Sequence, residues 1–415
     1  MKDSESGLSW ARGLTGRSGW QPRRNGGTMY TAEIASVAKR DNNKKRNYLV
    51  LNRYQGKHIP ASPEKALDMF SALAELVRRR YPGERLLVVG FAETATAIGE
   101  TLAAELDTYA IHTTREQIPD GEYLYFTESH SHATEQKLVK NGLEEILEQT
   151  DRVVFAEDEV TTGNTIRKII LLMRETYGEH LRFSAASLLN GMDEDSLKVY
   201  QEDGTDLIYL VKMDYSSYPK QAESFRGDGT YYDCRFRAEA AGSDSGCIPP
   251  GAPGLSGDSH FGNLCSIAEI PGAVNTRKLH HGKTYQAACE QMCQQVFREI
   301  SLEAEENILV LGTEEFMYPG LYLGRKLTER GHRVRFHATT RSPIEVSRAL
   351  EYPLHARYQL ASLYDADRVT YLYNLASCRR VLVLTDAAVT EEGLASLLYA
   401  LKCAGNDNIQ VIRWC

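Results

Sequence analysis

The sequence predicts an α/β protein in which a parallel sheet is flanked by helices, followed by a second α/β domain. In the first half, short apolar strands alternate with amphipathic helices, a rhythm typical of parallel sheets. Two of these strands end in glycine or in acidic residues just before a helix, where α/β proteins bind their ligands. A similar order of strands and helices returns about 220 residues later, which indicates an internal repeat.

The composition is that of an ordinary globular protein, with 42% hydrophobic and 25% charged residues in a chain of 415. The net charge of −8, without a basic stripe, argues against general nucleic-acid binding. No apolar run approaches the ~20 residues of a membrane-spanning helix, so no membrane association is expected. The eight cysteines are scattered, which favours free thiols in a reducing cytoplasm over disulfides or a metal site.

Changes in composition along the chain predict four segments. Residues 1–28 are rich in Gly, Ser and Arg without periodicity, and we expect a disordered extension there. Residues 215–282 are rich in Gly, Pro, Ser and Asp and are predicted to form a loop-rich connector. The connector would separate one domain at 29–214 from a second α/β domain at 283–415.

Two segments near the start of the first domain are candidates for binding an anion. The first is a polar loop with Lys57 and His58, although a solvated loop charge explains these residues equally well. Ser62 and Pro63 follow and have the residue types of a helix start. The second segment is the turn after a strand that ends at Gly90, because it leads straight into a helix whose N-terminus favours an anion.

The most informative stretch is residues 153–165. A short apolar strand is followed by Glu157 and Asp158, and then by a loop of hydroxyl residues that contains Gly163. The helix after this loop is predicted to end at Gly178. Loop N–H groups, hydroxyls and the helix N-terminus converge there, which predicts a phosphate site, whereas the acidic pair is suited to neighbouring sugar hydroxyls or a cation. An ordinary strand-to-helix turn with a polar cap is the alternative.

The stretch Glu-Asp-x-Val-Thr-Thr-Gly-x-Thr resembles the loop that binds phosphoribosyl pyrophosphate (PRPP) in the type I phosphoribosyltransferases. The resemblance implies that Glu157 and Asp158 hold the ribose 2- and 3-hydroxyls. It also implies that five residues cradle the 5-phosphate, namely Thr161, Thr162, Gly163, Asn164 and Thr165. The sequence departs from the common pattern at Phe155, Ala156 and Glu159. Thr161 stands where purine-salvage members usually carry Asp, so the site is more similar to the orotate type.

The same resemblance assigns roles outside the loop. Pyrophosphate would be bound by Lys57 and by the turn after Gly90, that is, by Ala92, Glu93, Thr94, Ala95 and Thr96. A mobile loop of type I enzymes makes Arg115, His130 and His132 candidates for contact with pyrophosphate or base, with His58 as a further candidate. The two loop histidines also suggest metal ligation, but a third ligand is missing. Glu157, Asp158 and Arg115 are the predicted catalytic residues, and Asp158 would hold Mg²⁺ partly through substrate and water.

The second half repeats the pattern of the first at a nearly constant offset. Residues 308–312 repeat residues 86–90, and the strand before Asp386 corresponds to the strand before Asp158. A shared α/β rhythm without common origin is the alternative. Opposite the phosphate loop stand residues 389–393 with two glutamates, which would repel a phosphate. We therefore predict a degenerate copy without a second PRPP site.

The segment from Thr339 to Pro343 resembles the Thr-Arg-Ser-Pro (TRSP) domain. That domain follows an orotate-type phosphoribosyltransferase domain in a bacterial family associated with tellurium-resistance gene clusters and thought to make a nucleotide-like metabolite. Arg341 within the motif is a candidate anion contact, and a structural partner for nearby acids is an equally good interpretation.

Together these features predict a pentosyltransferase that uses PRPP and Mg²⁺ to form an N-glycosidic bond to a base-like acceptor, with release of pyrophosphate. Positioning and electrostatic stabilisation would supply the catalysis. The alternatives are a non-catalytic PRPP or nucleotide sensor, and an N-glycosidic bond hydrolase or phosphorylase. The sequence leaves the acceptor and the oligomeric state open; related enzymes often form dimers, so the resemblance implies a homodimer.

Overall fold

The computed structural model describes residues 30–41, 46–126, 136–235 and 266–415. The predicted extension at 1–28 lies outside the described residues, as do His130, His132 and about half of the predicted connector. Within these ranges, no helix combines the length and apolar character needed to cross a membrane.

The first half begins with a 3-10 helix at Ala32–Ile34 and continues with these elements in chain order: β1 (Ala35–Lys39), β2 (Tyr48–Asn52), α1 (Pro63–Arg80), β3 (Leu86–Gly90), α2 (Thr96–Leu106), β4 (Tyr109–His112), β5 (Tyr123–Tyr125), β6 (Lys137–Val139), α3 (Leu143–Leu147), β7 (Arg152–Val160), α4 (Asn164–Tyr177), β8 (Arg182–Asn190), α5 (Glu194–Glu202), β9 (Asp206–Lys212) and α6 (Tyr218–Ser224).

The remaining elements are β10 (Thr230–Asp233), β11 (Ser266–Ile270), β12 (His280–His281), α7 (Gly282–Glu299), β13 (Asn307–Gly312), α8 (Tyr318–Glu329), β14 (Arg333–Ala338), β15 (Ala356–Ala361), β16 (Val369–Tyr373), β17 (Arg380–Thr385), α9 (Glu391–Cys403) and β18 (Ile409–Trp414).

The first large sheet has six strands in the order β12-β4-β3-β7-β8-β9, and all of them except β12 run parallel. Helices α1 and α2 pack against it, and α1 begins where the sequence predicts, with Ser62 accepting a hydrogen bond from the amide of Lys65 at 3.5 Å. The predicted α/β class with a parallel, helix-flanked sheet is confirmed. Phe155, which departs from the family pattern, lies in the centre of this sheet and stacks on Phe183.

The second large sheet repeats the strand arrangement of the first. Its order is β11-β18-β17-β13-β14, so that β14-β13-β17-β18 corresponds to β4-β3-β7-β8. A loop contact is repeated as well. The amide of Ala92 donates to the hydroxyl of Thr113 at 2.9 Å, and the amide of Glu314 donates to the hydroxyl of Thr339 at 2.9 Å. The repeated topology and the repeated contact both agree with a duplicated fold.

Strands pair and helices pack between the two halves. Strand β12, from the second half, pairs with β4 of the first sheet, and β10 pairs with β15 in a small three-stranded sheet. Helices α1 and α2 also pack against α7 and α8. The segment predicted as a connector therefore contributes a helix and strands to the fold, because α6, β10, β11 and β12 all lie between residues 215 and 282.

The loops at the carboxyl ends of the two sheets contact each other. The hydroxyl of Thr96, at the start of α2, donates to the backbone carbonyl of Glu315, just after β13, at 2.8 Å. The hydroxyl of Thr114, just after β4, donates to the carboxylate of the same Glu315 at 2.8 Å. Ligand sites of parallel α/β sheets lie at this edge, so each half borders the potential site of the other.

Strand β7 is longer than the sequence predicts. The apolar run suggests a strand that ends at Ala156, but the strand continues to Val160 and includes Glu157 and Asp158. The extension follows from pairing with β8, since Glu157 lies opposite Ser187 in the register. The prediction that the acidic pair follows the strand is therefore wrong. Both acids occupy the last part of the strand, where successive side chains point to opposite faces of the sheet.

Strand β3 and helix α2 approach closely at two glycines. A Cβ atom on Gly99 would lie 2.9 Å from the Cα of Gly90, which is backbone and cannot rotate away. We expect Gly99→Ala to lower the free energy of unfolding by up to about 2 kcal/mol, because an overpacking cost of about 1–3 kcal/mol outweighs a gain in helix propensity of roughly 1 kcal/mol. Urea denaturation measures this difference, and an unchanged or higher stability would contradict the close contact.

Candidate active site

The loop between β7 and α4 leaves backbone N–H groups available for a ligand. Within the described ranges, the amides of Thr161, Thr162, Gly163 and Thr165 have no acceptor. Helix α4 starts at Asn164, so its N-terminal dipole adds to the same place. An anion could bind to such a group of backbone amides at a helix N-terminus.

Gly163 is required by both backbone conformation and packing. Its φ of 70° lies in the left-handed region, and it precedes the first residue of α4. A Cβ atom there would overlap the hydroxyl of Tyr200 and lie 2.5 Å from the methyl carbon of Met192. The Tyr200 hydroxyl donates to the Gly163 carbonyl at 2.7 Å, which fixes the loop against α5.

The acidic pair Glu157 and Asp158 is held without a cationic partner among the described residues. Burial raises the pKa of Asp158 to about 6, and the negative charge of Glu159 adds to the effect. Burial and the neighbouring Asp158 also raise the pKa of Glu157 well above its ordinary value. Carboxylates that are desolvated and unpaired in a cleft are typical of functional sites.

Asp158 connects the phosphate loop with the turn after β3. Its carboxylate accepts a hydrogen bond from the hydroxyl of Thr94 at 2.8 Å. The carbonyl of Thr94 in turn accepts from the side-chain amide of Gln55 at 2.6 Å. In this turn the amides of Glu93 and Thr94 have no acceptor within the described residues. Both predicted anion loops of the first half therefore meet at one edge of the sheet.

The structure places Lys57 and His58 away from solvent. Lys57 has 0% of its side chain exposed, pairs with Glu93, and donates to the carbonyls of Glu314 at 2.7 Å and Thr339 at 2.8 Å. Lys57 therefore contacts the turn after β3 through its ion pair with Glu93. His58 is also buried, and burial with the nearby Lys57 lowers its pKa to about 3. Neither residue is placed for direct contact with a ligand.

Arg115 lies in a cluster of arginines and glutamates between the two halves, which we call the junction cluster. Its other members are Glu93, Glu116, Glu314, Arg341 and Arg368. Arg341 bonds Glu314 at 2.6 Å and Glu116 at 2.5 Å, and lies 3.6 Å from Glu93. Arg368 bonds the same Glu116 at 2.7 Å and Glu314 at 3.0 Å. The Nε of Arg115 and one Nη of Arg341 are buried donors with no partner in the described part of the chain.

A second charged group lies beside the junction cluster. The guanidinium of Arg277 donates to Glu315 at 2.9 Å and to Asp386 at 2.5 Å. Burial alone would raise the pKa of Glu315, but Arg277 and the neighbouring cations lower it to about 2. Asp386 also accepts from the hydroxyl of Tyr364 at 2.5 Å. In the second half, the carboxylate that corresponds to Asp158 is thus already paired with protein groups.

The residues near the phosphate loop fit a divalent cation that is held mainly by a ligand. Across the described residues, no group of three or more His, Cys, Asp or Glu side chains is arranged to hold a metal ion. Mg²⁺, however, keeps several waters and usually takes one or two carboxylates together with substrate oxygens. The unpaired carboxylates of Asp158 and Glu157 suit that kind of binding.

A cavity of about 510 Å³ lies at the opposite edge of the first sheet, where β3 and β4 begin. Its lining includes Arg78 and Arg85, which pair with Glu75 and Asp151 respectively. No residue of the two anion loops lines it. The cavity is therefore separate from the candidate site.

Residues 34–214 match the model of a phosphoribosyl transferase family, PRTase_2. Residues 277–401 match the model of the TRSP domain, described as C-terminal to PRTase_2. The chain has a phosphoribosyl transferase domain followed by a TRSP domain. The PRPP-like loop and the turn after β3 both lie in the transferase domain, and Arg341 lies in the TRSP domain. Among curated proteins, none matches the chain.

Solved structures similar to the chain include three phosphoribosyltransferases. Adenine phosphoribosyltransferase from Giardia lamblia with 9-deazaadenine is 18% identical, with a TM-score of 0.32 over 44% of this chain and 94% of that one. The Trypanosoma brucei enzyme with AMP, pyrophosphate and ribose-5-phosphate is 14% identical, with a TM-score of 0.32 over 43% and 76%. Orotate phosphoribosyltransferase from Aeropyrum pernix is 14% identical, with a TM-score of 0.28 over 50% and 92%. Because these TM-scores are below 0.5, the fold assignment depends on the sheet order and the family models.

Half of the junction cluster was predicted from the sequence: Glu93, Arg115 and Arg341 were candidate site residues, whereas Glu116, Glu314 and Arg368 were not. Arg368 lies in a stretch without a motif, and Glu116 directly follows the His-Thr-Thr-Arg motif but no pattern assigned it a role. Arg341 carried a signal, because Ala-Thr-Thr-Arg in the second half matches His-Thr-Thr-Arg in the first and places Arg341 opposite Arg115. Its position 3.6 Å from Glu93, in the turn after β3, is visible only in the structure.

The pKa of Asp158 leads to a prediction about stability. Because its folded pKa of about 6 exceeds the ordinary 3.8, the folded state binds protons more tightly, and the ionised carboxylate lowers stability above about pH 6. We expect Asp158→Asn to raise the free energy of unfolding at about pH 7 by about 1–2 kcal/mol. This gain should shrink as the pH falls from about 6 to about 4, because wild-type Asp158 is then protonated.

Urea denaturation across this pH range measures the effect, with Asp193→Asn as the matched control. Asp193 caps α5, and hydrogen bonds from Ser196 lower its pKa. The control substitution should bring no gain in stability near pH 7. A destabilised Asp158→Asn at neutral pH would contradict the picture of a costly, unpaired carboxylate.

Proposed function

We propose that the chain is a phosphoribosyltransferase that uses PRPP and Mg²⁺ to form an N-glycosidic bond to a base-like acceptor and releases pyrophosphate. The observation that carries this proposal is the unpaired acidic pair at the end of β7. It lies just before the loop of residues 161–165, in which four of the five backbone amides have no acceptor among the described residues, and this loop belongs to a domain that matches a phosphoribosyl transferase family. An anion loop beside acids suits a ligand that carries both a phosphate and sugar hydroxyls.

In this proposal the loop of residues 161–165 binds the 5-phosphate. Its free amides and the N-terminus of α4 offer hydrogen bonds and a positive dipole end to the phosphate oxygens. Gly163 permits the close approach of the backbone, because a side chain would collide with Tyr200. These groups are fixed by the fold before the ligand arrives, so little reorganisation is needed on binding.

Glu157 and Asp158 would accept hydrogen bonds from the ribose hydroxyls. The positive charge that develops on the ribose ring as the pyrophosphate leaves is stabilised by these two carboxylates. Bound Mg²⁺ would offset the negative charge of the phosphates, with Asp158 as a protein ligand directly or through water. The hydrogen bond from Thr94 keeps the Asp158 carboxylate oriented towards the turn after β3.

The pyrophosphate group would lie against the turn of residues 92–96, where the amides of Glu93 and Thr94 have no acceptor in the described part of the chain. Arg115 is the proposed cationic contact on this side, because its buried Nε has no partner among the described residues. We place the reaction in the first half only. In the second half Arg277 and Tyr364 already bind the corresponding carboxylate of Asp386.

Calorimetric titration with PRPP and Mg²⁺ tests this function. We expect wild-type binding to require Mg²⁺, and Asp158→Asn to weaken it at least about tenfold, which corresponds to ~1.4 kcal/mol. Asp386→Asn is the matched control from the second half and should bind PRPP like the wild type. With an acceptor identified from a panel of bases, turnover of Asp158→Asn should also fall at least about tenfold.

Three outcomes would count against the proposal. Absence of PRPP binding to the wild type would remove the PRPP site. Binding without turnover for any base would favour a sensor. Turnover that releases ribose 5-phosphate and base from a nucleotide, without pyrophosphate, would favour a hydrolase.

A further inference from the structure

The turn proposed to bind pyrophosphate contains an acidic side chain. Glu93 carries one of the two turn amides that have no acceptor among the described residues, and Thr94, the next residue, carries the other. An uncompensated carboxylate at this position would repel the negatively charged pyrophosphate at close range. The turn can serve as an anion site only if cations neutralise Glu93.

Arg115 of the first half lies near Glu93, and the two cations that pair with Glu93, Lys57 and Arg341, both depend on the second half of the chain. Lys57 pairs with Glu93 while donating to the carbonyls of Glu314 and Thr339. Arg341 belongs to the TRSP domain itself, and its Nε lies 3.6 Å from the Glu93 carboxylate. The charge of the pyrophosphate turn is therefore controlled across the boundary between the two family-matched domains.

The residues on either side of Arg341, Thr340 and Ser342, are both fixed by hydrogen bonds. The backbone of Thr340 exchanges hydrogen bonds with that of Tyr371, at 2.7 and 3.0 Å. The hydroxyl of Tyr373 donates to the carbonyl of Ser342 at 2.7 Å. Because the backbone of this segment is already restrained, holding the guanidinium of Arg341 close to Glu93 costs little further conformational entropy.

We propose that Arg341 is a positioning residue for the pyrophosphate end of the site, which it prepares by neutralising Glu93 and holding the turn of residues 92–96 against the TRSP domain. This inference rests on the proposed function. It assigns the TRSP domain a part in the transferase reaction, because Arg341 lies within the residues that match that domain. The hydroxyl of Thr96, bonded to the carbonyl of Glu315, fixes the other end of the same turn.

A double-mutant cycle on Arg341 and Glu93 tests the inference, with inorganic pyrophosphate and Mg²⁺ as the titrated probe. We expect Arg341→Gln to weaken pyrophosphate binding about tenfold or more, because Glu93 is left half-compensated. Glu93→Gln should bind at least as tightly as the wild type. The double variant should recover most of the lost affinity, since the repelling charge is gone.

Arg341→Gln is expected to fold, because Arg368 still pairs with both Glu116 and Glu314. If it does not fold, Arg341→Lys replaces it and should show a smaller loss that Glu93→Gln again restores. Arg357→Gln is the matched control. Arg357 lies in the same half, has 13% of its side chain exposed against 11% for Arg341, and pairs with Asp41 at 2.8 Å. Its removal should leave pyrophosphate affinity unchanged.

Ribose 5-phosphate, titrated in parallel, separates the two proposals. Arg341→Gln should bind it like the wild type, because the phosphate loop is untouched. Wild-type binding of ribose 5-phosphate and PRPP, with unchanged pyrophosphate affinity in Arg341→Gln, would overturn the inference and leave the proposed function standing. A double variant as weak as Arg341→Gln would also overturn it, because Arg341 would then act other than through Glu93. No wild-type binding of any of the three ligands would overturn both.

Discussion

The buried ammonium group of Lys57 is the contact on which the arrangement of the two halves depends. Burial lowers its pKa, and the ion pair with Glu93 opposes that effect. Removing a cation from water costs several kcal/mol, and this desolvation penalty is offset only when the ion pair and the hydrogen bonds of the buried cation are all formed. Two of those partners are carbonyls of the second half, Glu314 and Thr339. Separating the halves would leave a buried charge without partners, so the site and the loops that face it form one unit.

The close association of the two halves explains why the domain boundary is hard to predict from the sequence. Composition marks a change near residue 215, and this is where regular alternation of strands and helices stops. The pairing of strands across the halves produces no such pattern in the sequence. Strand β12 has only two residues, His280 and His281, and it pairs with β4 at the edge of the sheet. Short edge strands lack the length for a periodic pattern, so their partner could not be inferred.

The sequence predicted the central features of the fold and of the candidate site for physical reasons. Gly163 could be assigned to the loop before α4 and Gly178 to the end of α4, because few other residues tolerate the conformations found there. The placement of Glu157 and Asp158 was less accurate, since charged residues argue against a strand and only pairing with β8 keeps them in one. Lys57 was predicted as a ligand contact because a Lys next to a Gly in a polar segment is typical of an exposed loop, where its charge could reach an anion. Its burial depends on groups more than 250 residues away, at 257 and 282 positions along the chain.

The duplicated halves show how one fold can hold the same carboxylate in two different states. Asp386, just after β17, is bonded by Arg277 and Tyr364, so its charge is satisfied by the protein. Asp158, in the corresponding strand β7, accepts a hydrogen bond from the hydroxyl of Thr94, has no cationic partner among the described residues, and has a raised pKa. A satisfied carboxylate contributes to stability, and an unsatisfied one is tolerated where a ligand supplies the missing partner. The first half retains the costly arrangement, while the second half uses its loops, through Arg341 and the carbonyls that bind Lys57, to support it.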